Sequence, residues 1–444
     1  MSSVVTPATS AFSRRRWPVL AFQMAVFLSL FGLNPTAGSG DDGSALRQVG
    51  WILLVVIGLL GVTAESAHWQ DFKNYLVKKR GSLLLLGAFF ALAMLSSLWS
   101  EAPFVTFKRA ALLGIVFLMA VFAVFTMAIN KTPLATALVP PLASLLAISI
   151  LFTALFPHAA FTTLGWQGAT GQKNTMGQLA SLLVLASFFL APQSGYLHRL
   201  KPVLIVCGLI ALALSRSTTS IMALVLTAGI LSIGFWFALL NKHRTWIVPF
   251  FLATFALLVA LSIALLFDWL PSIAEIRTEL FSVIGKSENL TGRTKLWDLV
   301  TAQNMFRSEI YGGGYGGFWD ISGERILYIT RQLGFAPIQA HNGYLDIFND
   351  LGYIGLALAC FILVYYAFNL ASGILSKAHA ASPVPKFLFA LGIYIFISNF
   401  SESSLFRTTQ FLNLLFVVSF IYAAGGPARP NRQFKYLNTE LSKV

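Results

Sequence analysis

The chain has 444 residues, of which 57% are apolar and 11% charged, and a formal net charge of +14. Soluble domains carry about 25% charged residues, so a water-facing surface of this size is excluded. The apolar residues run continuously instead of alternating, which excludes a transmembrane β-barrel and leaves an all-α, polytopic membrane protein.

Stretches of roughly 17–25 apolar residues, each long enough to cross a bilayer as a helix, recur along the sequence. They predict about twelve spans, near 17–33, 48–64, 81–98, 104–129, 133–156, 174–191, 200–215, 217–239, 246–268, 343–372, 385–400 and 408–424. The first follows Arg14, Arg15 and Arg16, like the basic start of a signal peptide. No small-residue cleavage site follows, so an uncleaved first helix is expected. Cys207 and Cys360 lie inside apolar runs and form no C-x-x-C pair, which speaks against a disulfide framework or a zinc site.

Orientation is read from Lys and Arg in short loops. With the N-terminus in the cytoplasm, 18 of the 31 bases fall on the cytoplasmic side with only Glu65, Asp71 and Glu440 as acids. The basic surplus then reads as a topology signal and a contact for anionic lipid, not as a nucleic-acid surface. The expected organisation is a membrane domain of about nine spans (1–268), a long outer-face loop (269–340), a membrane domain of about three spans (341–424) and a basic cytoplasmic tail (425–444). Both termini are expected in the cytoplasm, with the long loop on the opposite side.

The 72-residue loop breaks the pattern of short connections, and loops of that length usually carry function. It holds Arg277, Lys286, Arg293, Lys295, Arg307, Arg325 and Arg331 and leads into His341. Gly312–Gly317 contains G-x-G-x-x-G, but a dinucleotide site needs a βαβ context that an outer loop does not supply. A glycine turn folding close to the membrane is the better reading. Gly285-Lys286-Ser287 lacks the first glycine of a phosphate-binding loop, Leu280 standing in its place. No D-x-D triplet occurs to hold a metal–nucleotide-sugar complex, so neither metal nor cofactor is expected. Asn289-Leu290-Thr291 and Asn399-Phe400-Ser401 match the glycosylation pattern, one that arises often by chance. Trp166, Trp297, Tyr311, Tyr315, Phe318 and Trp319 are expected mainly in the interfacial belt.

His341 combines a helix start, the long loop and an outer membrane face. A neutral imidazole there could accept a proton from an attacking hydroxyl; the plainer reading is a helix-capping or interfacial histidine. Arg216, in Leu214-Ser215-Arg216-Ser217-Thr218-Thr219, sits in a tight turn between two spans, where a charge suggests a bound partner. Arg293 begins an amphipathic helix in the loop. Planar guanidinium forks pair bidentately with phosphate oxygens, so the two could hold a pyrophosphate, ordinary headgroup contact being the alternative.

Taken in order, these motifs resemble the O-antigen ligase and polymerase superfamily, and most of all the bacterial exopolysaccharide polymerases. The resemblance rests on Leu98-Trp99-Ser100 with Pro103, Thr106 and Arg109; Gly171-Gln172-Lys173-Asn174-Thr175-Met176-Gly177; the Arg216 turn through Ser220; and Gly292-Arg293-Thr294 with Trp297. It continues in Gly314-Tyr315-Gly316-Gly317-Phe318-Trp319, in Ala340-His341-Asn342-Gly343-Tyr344 running into Leu351-Gly352-Tyr353-Ile354-Gly355, and in Ser401-Glu402-Ser403. Gln172 stands where related polymerases often carry His. The resemblance implies transfer of a saccharide from a polyprenyl-pyrophosphate donor to a saccharide hydroxyl, with a chain-length regulator as a further partner. It implies His341 as general base, Arg216 and Arg293 as pyrophosphate ligands, and Arg109, Lys173, Asn174, Tyr344 and Glu402 in support; Glu402 or Glu101 would be the base if His341 were not. The alternatives are a ligase acting on lipid A–core and a non-catalytic transporter or flippase. A transporter usually places ionisable groups near the bilayer midplane, whereas here nearly all lie at span ends.

Overall fold

The computed structural model describes residues 16–32, 45–63, 66–191, 195–240, 291–304, 308–320, 322–375 and 382–424. Its helices are α1 (Trp17–Leu30), α2 (Ala45–Thr63), α3 (Ser66–Lys78), α4 (Arg80–Leu95), α5 (Pro103–Ile129), α6 (Leu134–Leu155) and the single turn α7 (Pro157–Ala160). A small hairpin of β1 (Phe161–Thr162) and β2 (Gly165–Trp166) follows. Next come α8 (Lys173–Leu190), α9 (Tyr196–Ser215), α10 (Thr218–Leu240), α11 (Thr291–Asn304) and α12 (Glu324–Leu333). The chain closes with α13 (Gly343–Leu375), α14 (Pro383–Ser398) and α15 (Phe411–Ala423).

The fold is helical, as the apolar runs require. Among the described residues, six helices are long and apolar enough to cross a membrane: α2, α4 with its extension to Leu98, α5, α6, α9 and α13. Four shorter apolar helices lie at Trp17–Leu30, Thr218–Gly234, Pro383–Ser398 and Phe411–Ala423. The count of about twelve spans is therefore not established, and the span expected near 246–268 falls outside the described residues. An added element is α3, a polar helix where the sequence reading expected a loop.

Helices α5, α8, α14 and α15 are buried on most faces, while α2 and α9 bury only a stripe and turn Ile52, Leu53, Val56, Val203, Val206 and Ile210 outward. A helix that is apolar all round belongs in a core or against lipid, and this bundle uses both solutions. Helix α8 is the exception among the central ones. It packs along α9, α6 and α14, yet begins with Lys173-Asn174-Thr175 and so brings polar groups to one end of the bundle.

The expected span at 343–372 is broken at Gly352, whose backbone (φ 61°, ψ −159°) is non-helical. Residues 343–351 form a short helix buried in the protein ahead of the break. The break frees backbone groups, and the 309–314 segment satisfies them. Tyr353 N and Ile354 N donate to Glu309 O (2.8 Å) and Ile310 O (3.1 Å), while Gly313 N and Gly314 N donate to Asn349 O (3.0 Å) and Asp350 O (2.9 Å). Broken helices at membrane depth persist only when such groups find partners.

The glycine-rich segment is thus a close-packed turn, as expected, and not a nucleotide loop. Tyr315, Phe318, Trp319 and Trp166 are buried, which corrects their assignment to an interfacial belt: the first three pack where the loop docks on the helices, while Trp166 sits in the hairpin with its Nε1 donating to Thr153 Oγ1 of α6 (2.8 Å). Tyr311 remains exposed beside Trp99, which donates to its carbonyl (3.2 Å). Asn399 is fully buried, with its Oδ1 accepting from Ser404 N and Leu405 N (3.0 Å each). It has no access for a glycan, and that pattern match is chance; Asn289 lies outside the described residues.

Candidate functional site

One end of the bundle collects the loops that carry most of the expected site residues. Tyr315 N donates to Ser96 Oγ at the end of α4 (2.9 Å), and the Tyr315 hydroxyl bonds Phe406 O ahead of α15. Gly343 N donates to Asn399 O (2.9 Å), which joins the start of α13 to the end of α14. A side chain at position 343 would overlap Asn399, so only glycine permits this approach.

His341 sits just before α13 in a left-handed conformation (φ 54°). It is not the helix cap. Asn342 Oδ1 accepts from Tyr344 N (3.1 Å) and Leu345 N (3.2 Å), the side-chain capping that frees orphan donors of a first turn from solvent. Both oxygens of Asp346 accept from Ala340 N (3.2 and 3.3 Å), and Trp297 Nε1 of α11 donates to Ala340 O (2.8 Å). The peptide before His341 is therefore gripped from two sides. The imidazole itself is 35% exposed, enough to meet a ligand.

The imidazole faces a buried carboxylate. His341 Nδ1 lies 3.3 Å from Glu402 Oε2, and the Glu402 side chain is only 8% exposed. Gln339 Nε2 lies 3.2 Å from the same ring nitrogen. On its other oxygen Glu402 accepts from Asn174 Nδ2 (2.6 Å), at the start of α8. Ser217 Oγ donates in turn to Asn174 Oδ1 (3.0 Å) and lies 3.1 Å from Ser220 Oγ. A continuous polar line thus runs from His341 through Glu402 and Asn174 to Ser217, immediately beyond Arg216.

Arg216 occupies the sharp turn between α9 and α10, again left-handed (φ 50°), and its side chain is exposed. The β-hairpin supports this turn: a side chain at Gly165 would collide with Ser215 O. Beside the turn opens an apolar groove of about 380 Å³ between α6, the hairpin and α9, lined by Ile150, Thr153, Phe161, Trp166, Cys207 and Leu214 among others. Position 293 lies on the first turn of α11, one turn before Trp297; the Arg293 side chain falls outside the described residues.

The remaining candidates divide. Asn174 and Glu402 join the polar line. Arg109 is buried and bonds Gly316 O, so it holds the glycine turn in place. Tyr344 is buried, with its hydroxyl 3.5 Å from Phe396 O and its ring edge-on to Phe400, and acts in packing. Lys173 starts α8 and is half-buried. Gln172 is exposed, its carbonyl accepting from Thr170 Oγ1 (3.0 Å). Glu101, the other fallback base, pairs with Arg325. Reading the sequence missed Ser217, Gln339 and Asp346 as individual actors, although each lies within or beside a quoted motif. Among the described residues, no three His, Cys, Asp or Glu side chains gather as metal ligands.

Residues 203–360 match the family model described as O-antigen ligase. No curated protein matches the chain. The matched stretch contains Arg216, Arg293 and His341 and runs past the Gly352 break, so it covers three of the residues that the sequence motifs singled out. Glu402 and Asn174 lie outside it and reach His341 only through the fold. The match supports a function of the O-antigen ligase or polymerase type, on lipid-linked saccharide substrates, for a helical membrane protein.

Proposed function

We propose that the protein is an inner-membrane glycosyltransferase that moves a saccharide from a polyprenyl-pyrophosphate donor to a saccharide hydroxyl on the periplasmic face, lengthening an exopolysaccharide or O-antigen chain. The observation that carries this reading is the meeting of His341, Glu402, Asn174 and the Arg216 turn at one end of the bundle, with His341 and Arg216 in the segment that matches the O-antigen ligase family.

His341 takes the proton of the acceptor hydroxyl as its oxygen attacks the anomeric carbon. The bond from that carbon to the pyrophosphate oxygen breaks, and displacement from the opposite face inverts the configuration. The pyrophosphate leaves with its charge held by Arg216 and Arg293, fixed donors placed where charge develops. The apolar groove beside Arg216 suits the prenyl chain, its polar end meeting the guanidinium. No metal is needed in this scheme.

The matched family's description favours a second reading, a ligase that delivers the saccharide to lipid A–core. Donor, base and cradle are then the same and only the acceptor differs. Purified protein in nanodiscs, given synthetic polyprenyl-pyrophosphate oligosaccharide, should yield lengthened lipid-linked product. Product only when lipid A–core is added would select the ligase. Transfer to neither acceptor, with the donor bound, would sink both readings and bring back a transporter.

A further inference from the structure

We infer that Glu402 and Asn174 are positioning residues that fix the tautomer of His341, through a hydrogen-bond line anchored at Ser217 beside the Arg216 turn. This rests on the reading of His341 as general base.

The line has a direction. Ser217 Oγ donates to Asn174 Oδ1 (3.0 Å), which turns the amide so that Nδ2 donates to Glu402 Oε1 (2.6 Å). Glu402 Oε2 then faces His341 Nδ1 at 3.3 Å. A carboxylate only accepts, so Nδ1 carries the proton and Nε2 is left with the free lone pair a base requires. Gln339 fits the same assignment. Its Oε1 is buried without a partner, and turning the amide over presents that oxygen to the Nδ1 proton. The elements involved come from four parts of the chain: the α9–α10 turn, the start of α8, the segment before α13 and the loop before α15. Because Ser217 follows Arg216, a donor that shifts the turn also shifts the far end of the line.

Glu402→Gln tests this with little change of shape. Asn174 is oriented by Ser217 and must meet an acceptor, so the new amide presents its oxygen to Asn174 and its NH₂ to His341 Nδ1. That forces the imidazole proton onto Nε2 and removes the base. The expected result is a fall in kcat of about 10²–10⁴-fold, as for other mis-set tautomers, with the donor KM unchanged within about threefold. The ¹⁵N resonances of His341, assigned by their loss in His341→Asn protein, should exchange protonated Nδ1 for protonated Nε2. Asn174→Leu should lower kcat about tenfold by removing one bond to a charged group, and it decides the matter by the same readouts if Glu402→Gln protein does not accumulate. A kcat within about threefold of wild type, or unaltered histidine resonances, overturns the positioning role. Full activity in His341→Asn protein would instead overturn the base itself, so the two failures are distinct.

Discussion

His341 has φ near +54°, a conformation that costs most L residues about 1–2 kcal/mol but that Asn tolerates well. Substitution by Asn therefore keeps the backbone while deleting the proposed base, and capping is unaffected because Asn342 performs it. His341→Asn protein should reach wild-type abundance and elute normally, with transfer lowered by about 10²–10⁴-fold. Near-normal product would refute the base assignment. Arg216 is the complementary case. A lysine there keeps the charge but loses the two-pronged fork, so Arg216→Lys should weaken donor binding and turnover together. With Arg216 and Arg293 in the proposed place of a cation, transfer should persist in EDTA; activity lost in EDTA and restored by magnesium would overturn that. Histidine and arginine were legible in the sequence because each sits in a compact motif at a helix boundary. Their partners were harder to see: Asn174 and Glu402 are 228 positions apart, and no period or spacing announces such a contact.

At the level of elements, apolar runs announced the helices well, because a bilayer-crossing segment must be long, apolar and internally bonded. What they could not announce was the interruption at Gly352, since an apolar run reads the same whether its helix is whole or broken. The glycines of 312–317 were legible as a turn, but not as the partner that satisfies the break. The conformation at Gly352 is one that essentially only glycine adopts, and an added Cβ would lie 2.5 Å from Glu309 O and Ile310 O. Gly352→Ala should therefore cost about 1–3 kcal/mol in strain, with a further penalty as the 309–314 segment is pushed away. Gly334, left-handed at the end of α12 with nothing within 4 Å of its would-be Cβ, provides the contrast. Its alanine variant should lose only about 1 kcal/mol. Melting of the two purified variants checks this, and equal shifts would show that the docked loop adds nothing to the stability of the broken helix.

On the scale of the whole molecule, the bundle has two chemically different ends, and the helices connect them without ambiguity. Lys79, between α3 and α4, donates to the carbonyls of Tyr422 (3.3 Å) and Ala424 at the far end of α15. Burial, with Lys78 beside it, lowers this ammonium to about 8, so it still brings its charge at pH 7 to a helix C-terminus, where cations are favoured. The opposite ends of α4 and α15 meet the glycine turn through Ser96 and Phe406, next to the polar line of the site. Lys73, Lys78, Lys79 and Arg80 cluster at the first end, and such clusters favour the cytoplasmic side, so the proposed function puts the site end on the periplasmic face. With Cys207 and Cys360 replaced by alanine, a cysteine at the exposed position Gln332 should react with an impermeant maleimide while the inner membrane is intact. One at Lys78 should react only after that membrane is opened. The reverse pattern would turn the protein over and place the site in the cytoplasm. There soluble nucleotide sugars are at hand, and a cradle built for a lipid-borne pyrophosphate would lose its reason.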